Sequence, residues 1–215
     1  RPVQLAVPHL ELGFELGISP SSIIKTPIQY TDDHIVKRTE MRFKLIVLGD
    51  SSVGKTSLIN QFVTNKFYNE YRPTLGISIT SQVYSLQGFD ETTINLMLWD
   101  LAGQKFFKRV RKHYYQAANA AFIVFDVTRQ DTFDNIKVWF DDLKDSLEDK
   151  TPPIVIIGNK IDLEKDRVIS QDAGQQLAKD LHCSYMETSA KTGENVRDAF
   201  SLIGIGLFFK MADPS

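Results

Sequence analysis

The sequence predicts an α/β fold: an open, six-stranded, mostly parallel sheet with one antiparallel edge strand and helices on both faces. Three observations carry this reading. Short apolar runs alternate along the chain with segments of helical periodicity, the pattern of βα units. The run at 154–158 is continuously apolar, and those at 43–48 and 120–126 are apolar except for Lys44 and the terminal Asp126, as parallel strands covered on both faces require. Loops rich in glycine and polar residues follow several of these runs, where an open α/β sheet places its ligands.

The elements follow in order. Strands are expected at 43–48, 77–86, 92–99, 120–126, 154–158 and 184–186, with Gly88 and Asp90 marking a hairpin between the second and third. Helices are expected at 55–64, within 106–116, and at 132–147, 171–181 and 196–208. Ile136, Trp139, Phe140, Leu143 and Leu147 recur at helical spacing, as do Val196, Phe200, Ile203 and Leu207; each stripe reads as a core face and calls for no ligand.

The 215 residues are 42% hydrophobic with a formal charge of −2, enough for a substantial core and too little positive charge for nucleic-acid binding by bulk charge. The single cysteine, Cys183, excludes an internal disulfide and reads as a buried structural thiol. No apolar stretch approaches the roughly eighteen residues that a membrane-spanning helix needs, and the four histidines show no metal-ligand spacing. Residues 1–40, broken by Pro2, Pro8, Gly13, Gly17, Pro20 and Pro27, are expected to form a partly ordered or disordered extension, with a docking or membrane-contacting arm as the alternative. Residues 41–210 form the globular domain and 211–215 a short tail.

Gly49-Asp50-Ser51-Ser52-Val53-Gly54-Lys55-Thr56 is a GxxxxGK[ST] string between an expected strand and an expected helix. In that context Asp50, Ser51, Ser52, Val53 and Gly54 offer backbone N–H groups to a phosphate at a helix N-terminus. Lys55 reaches the β- and γ-phosphates, Thr56 ligates Mg²⁺, and Ser57 follows in the first turn. The string alone specifies a nucleoside triphosphate and not its base. Asn159-Lys160-Ile161-Asp162 follows a buried strand; alone it is either a turn or a base contact. As a contact, Asp162 accepts from the N1–H and amine of guanine, Asn159 ties the loops together, and the Lys160 stem covers the ring. Ser189-Ala190-Lys191 follows another strand, and the Ala190 N–H is placed to meet the guanine O6. Asp100 ends a strand beside the phosphate loop, where a second Mg²⁺ contact through water belongs. Gly103 lets the backbone approach a γ-phosphate, and Gln104 stands where a water-orienting group belongs.

On these motifs the chain resembles the Ras superfamily of small GTPases, most closely its Rab branch, over about residues 41–210. Rab-like details are Trp99, Tyr114-Tyr115, Phe125-Asp126-Val127-Thr128 and Trp139. The resemblance implies a G domain of the phosphate-loop NTPase class that binds GTP or GDP with Mg²⁺ and hydrolyses GTP slowly in regulating membrane traffic. It adds Thr74 as the switch I threonine on Mg²⁺ and Phe67 as the aromatic that packs edge-on against guanine. Gln104, Lys55 and Thr74 form the implied catalytic set, and Thr56, Thr74 and Asp100 the metal set. Arg72, two residues before Thr74, is expected to face solvent or an effector, because Tyr71 occupies the place of an internal catalytic arginine. The implied partners are an exchange factor, a GTPase-activating protein and effectors, engaged through residues 67–80 and 101–116. The expected protein is a cytoplasmic monomer, open to peripheral membrane contact, although residues 208–215 hold no prenylation cysteine. Two stretches depart from the Rab pattern: Leu75-Gly76-Ile77-Ser78-Ile79 after the switch threonine, and Lys105-Phe106-Phe107 after Gln104. A scaffold that binds GTP or GDP without hydrolysing it is the alternative, and an ATP-using enzyme a more distant one.

Overall fold

A computed structural model describes residues 24–25, 39–68, 73–86, 92–103, 108–147 and 151–212. The expected Gly88–Asp90 turn, Arg72, Gln104 and the 105–107 departure lie outside the described residues. The strands are β1 (Ile24–Lys25), β2 (Thr39–Leu48), β3 (Ile77–Leu86), β4 (Thr92–Leu101), β5 (Ala120–Asp126), β6 (Ile154–Asn159) and β7 (Ser184–Thr188). The helices are α1 (Lys55–Thr64), α2 (Lys108–Tyr115), α3 (Gln130–Asp134), α4 (Ile136–Leu147), α5 (Gln171–Asp180) and α6 (Val196–Ala212), with a 3₁₀ turn at Glu164–Asp166.

The sheet order is β1-β3-β4-β2-β5-β6-β7. From β4 through β7 every neighbouring pair is parallel, and β3 runs antiparallel to β4. All six expected strands are therefore present with the expected directions. The seventh, the two-residue β1, pairs antiparallel with Ser85 and Leu86 and moves the sheet edge one position beyond β3.

Alternation along the strands builds two core layers. Phe43, Leu45 and Val47 of β2 join Phe122 of β5 beneath α1 and α6, where Phe62 stacks on Phe200 with ring centroids 4.4 Å apart. Ile46 and Leu48 join Ile123 and Phe125 on the other face, covered by Leu143 of α4 and Ala178 of α5. Every residue of β5 is buried, as a central parallel strand requires. Along β4 the buried positions Ile94, Leu96 and Leu98 share a face with Asp100. The same period of two therefore delivers a carboxylate to the α1 side at the strand's end.

Several boundaries differ from expectation. The helix expected at 132–147 starts two residues earlier and is divided into α3 and α4 at Asn135. Around α6 burial extends beyond the expected stripe: Ser201, Leu202, Gly204, Ile205 and Phe208 are buried too. An almost wholly apolar sequence there gives no polar face.

Cys183 is buried, its Sγ 3.4 Å from the Leu181 carbonyl oxygen. Burial pushes its thiol up to about 12, so at pH 8 only about one molecule in 10⁴ carries the reactive thiolate. Ellman's reagent at pH 8 should therefore leave the folded protein unlabelled for hours and modify it within minutes in denaturant. Rapid stoichiometric labelling of the native protein would contradict this placement.

Candidate functional site

The loop between β2 and α1 gathers at the carboxyl ends of the central strands. Gly54 precedes α1 with φ 99° and ψ 19°, and no side chain caps the helix. Its first turn holds no acidic residue, so unpaired N–H groups and the positive end of the helix dipole face the cleft. A Cβ on Gly54 would lie 2.3 Å from Asn159 Nδ2, so a side chain here meets both a left-handed backbone and an occupied space.

Lys55 folds back over the loop. Its ammonium donates to the carbonyl oxygens of Gly49 (2.9 Å) and Asp50 (2.6 Å). Burial lowers its pKa to about 8 against the opposing pull of Asp100 and Asp50.

Thr56, Thr74 and Asp100 meet at one end of the cleft. The two hydroxyl oxygens are 2.9 Å apart, and both donate to Asp100 Oδ2, Thr74 at 3.3 Å. Asp100 is buried, and its Oδ1 has no hydrogen-bond partner. Burial raises its pKa, opposed by the Thr56 hydrogen bond, the Lys55 charge and the Thr74 hydrogen bond. Two hydroxyls and a carboxylate with an unsatisfied oxygen suit a hard, oxygen-seeking cation that keeps several waters, so these residues fit Mg²⁺. Gly103 lies against the phosphate loop: a Cβ on it would fall 2.5 Å from Asp50 C and Ser51 N. The Ala102 N–H donates to the Gly76 carbonyl at 3.0 Å, joining the segments that carry Thr74 and Gly103.

At the other end, Asn159 joins three segments. Its Nδ2 donates to the Val53 carbonyl (2.8 Å), and its Oδ1 accepts from the Ala190 N–H (3.1 Å) and the Thr188 hydroxyl (3.2 Å). The Asp162 carboxylate accepts from Ser189 Oγ at 2.6 Å, with Lys191 Nζ 3.9 Å away. Lys160 adopts φ 73°, and its ammonium lies 2.6 Å from buried Asp126. That pairing anchors the tip and leaves the stem lining the cleft.

Together these groups bound a cleft of about 1060 Å³ that runs from Thr56 and Thr74 to Asp162 and Ala190. Ser51, Ser52, Ser57, Gly103 and Lys191 line it, and Phe67 stands half-exposed on its rim. The Val53 side chain is buried in the core and its carbonyl is taken by Asn159. The Asp50 side chain points away from the cleft that its main chain borders. Its carboxylate turns toward α4 and accepts from Asn135 Nδ2 (2.7 Å) and Trp139 Nε1 (2.9 Å).

Sequence reasoning missed these two donors, the Arg129 guanidinium on the Ser51 carbonyl (3.2 Å), and Ser189 as the group that orients Asp162. The Trp139 stripe signalled only a core face. No local spacing links residue 50 to residues 135 and 139.

Asn159→Ala would leave the Ala190 N–H and the Val53 carbonyl without their partner in a buried position. We expect a loss of about 1–3 kcal/mol, read as a lowered urea midpoint with unchanged slope. A midpoint equal to wild type would show that water or loop movement replaces the amide.

The comparisons agree with this geometry. The model of the Ras family matches residues 44–206. Among curated relatives, Ras-related protein RABA5e of Arabidopsis thaliana is 35% identical over 171 residues, covering 80% of this chain and 77% of that protein. This chain's phosphate loop, threonine–aspartate cluster and Asn159-Lys160-Ile161-Asp162 loop all fall within the span that the family model matches, and the chain belongs to the Ras family as a Rab-like small GTPase.

Proposed function

We propose that this chain is a guanine-nucleotide switch that binds GTP or GDP with Mg²⁺, hydrolyses GTP slowly, and acts in Rab-like regulation of membrane traffic. The observation that carries the reading is the meeting of Thr56 and Thr74 on Asp100. A loop eighteen residues downstream of Thr56 closes onto the phosphate loop at a hydroxyl pair suited to magnesium. A passive nucleotide scaffold has no need of that closure.

The chain's own residues divide the work. The phosphate loop and the α1 N-terminus hold the phosphates, and Lys55 supplies a buried positive charge between them. The Thr56 and Thr74 hydroxyls would hold Mg²⁺, with the Asp100 carboxylate beside them as its further contact. A magnesium ion held there would supply charge neutralisation for the phosphates. Asp162, fixed by Ser189, accepts from the guanine edge, and the Ala190 N–H meets its O6. Gln104, assigned from its place in the motif, orients the attacking water. Loss of the γ-phosphate frees Thr74 and Gly103, and both segments change shape. Leu75 and Ile79 are 82% and 56% exposed on that surface, an apolar face suited to effectors, an exchange factor and an activating protein. Residues 1–40 hold no phosphate-binding string and take no part in the chemistry.

Three measurements test this. Wild type should prefer GTP to ATP by about 10⁴ or more, because an unpaired buried edge is rejected strongly; Asp162→Asn should shift preference toward xanthine nucleotides. Affinities for GTP and ATP within tenfold would overturn the base assignment. Thr56→Asn should weaken GTP more than GDP and blunt the effect of chelating Mg²⁺ on nucleotide release; unchanged affinities would remove Thr56 from the metal.

Single-turnover hydrolysis should run at about 10⁻⁴–10⁻³ per second, the intrinsic range of Ras itself. Gln104→Leu should slow it further with GTP binding intact. Turnover near one per second, abolished by Arg72→Ala, would make the chain self-activating and contradict the proposal.

A further inference from the structure

A carboxylate is an unfavourable group to place in a loop that wraps phosphates, because like charges a few ångströms apart repel in a partly buried site. Asp50 is the second residue of that loop, yet its side chain does not line the cleft. Both carboxylate oxygens are engaged on the far side, Oδ2 by Asn135 Nδ2 at 2.7 Å and Oδ1 by Trp139 Nε1 at 2.9 Å. Both donors belong to the α3–α4 segment: Asn135 sits at the junction of the helices and Trp139 one turn later. They lie on one face of the helix because residues four apart do.

The main chain at the same place is held as well. The Asp50 carbonyl accepts from Lys55 Nζ, and the Ser51 carbonyl accepts from Arg129. Gly103 packs against the Asp50–Ser51 peptide with no room for a Cβ. Asp50 is thus a junction: its carbonyl serves the phosphate-binding lysine, its peptide backs the γ-phosphate-sensing glycine, and its side chain is fixed to α4.

We infer that Asn135 and Trp139 are positioning residues that hold the Asp50 carboxylate away from the nucleotide, and so set how long the nucleotide stays bound. Trp139 has a polar duty besides its place in the core. Released from these donors, the carboxylate would be free to turn toward the phosphates, and the loop would lose its anchor to α4. The inference rests on the reading that phosphates occupy this loop.

The test uses the full chain with GDP and Mg²⁺. Trp139→Phe keeps an aromatic ring but removes the N–H, and Asn135→Ala removes the other donor. Combined, they should raise the GDP dissociation rate roughly tenfold, the scale of losing hydrogen bonds to a charged group. Adding Asp50→Asn to that pair should restore most of the slow dissociation, because the repelling charge is gone. Leu143→Val, one turn further along α4 and fully buried, lowers stability without touching the loop and should leave the rate within twofold.

A pair variant that releases GDP at the wild-type rate would overturn the inference. So would failure of Asp50→Asn to restore it, or Leu143→Val accelerating release as much as the pair. The indole ¹⁵N–¹H resonance of Trp139, assigned with Trp139→Phe, should move when Asp50→Asn is introduced, with or without nucleotide. A stationary resonance would also overturn it. Failure of wild type to bind GDP at all would count against the proposed function and leave the indole measurement to judge the contact.

Discussion

The amide of Asn159 is the contact on which the rest of the site depends. It sits at the end of β6, 1% exposed, and bonds at once to the phosphate loop, to the end of β7 and to the loop after it. One planar group with two donors and an acceptor oxygen can hold three segments in register. In a buried position each lost partner carries a desolvation cost. The distance between the phosphate end and the base end of the cleft is therefore set by backbone that cannot shift independently. Gly54 allows this approach, since any Cβ there would occupy the place of the Asn159 amide.

Around that fixed point, charge is arranged unevenly. The phosphate end concentrates donors: the uncapped α1 N-terminus, Lys55, and the hydroxyls of Thr56 and Thr74. Its two carboxylates are handled in different ways. Asp100 faces the hydroxyls with one oxygen unpartnered, ready for a cation, whereas Asp50 is turned outward and paired on both oxygens. The base end relies on carboxylates held by specific neighbours, Asp162 by Ser189 and Asp126 by Lys160 and Thr128. The Asp162 end is tied by side-chain bonds among several segments, whereas the Thr74–Gly76 segment meets the rest through the Thr74 hydroxyl and the Gly76 carbonyl.

The sequence by itself determined the fold class, five of the six main strands to within two residues at each end, and which loops meet around the cleft. These follow from local signals: continuous apolar runs for buried strands, a glycine-rich string before a helix, and short polar motifs just after strands. Even the side to which Asp100 points was implicit in the alternation of Ile94, Leu96 and Leu98. Only the tertiary structure decided the rest. The start of β2 at Thr39 and the two-residue β1 depend on pairing partners far along the chain, Thr92 and Ser85–Leu86. The roles of Ser189, Asn135 and Trp139 depend on which side chains meet across 27, 85 and 89 residues of separation. A helical stripe reports that a residue faces inward but not what it meets there. Trp139 therefore read as core, and only packing α4 against the phosphate loop brought its N–H to Asp50.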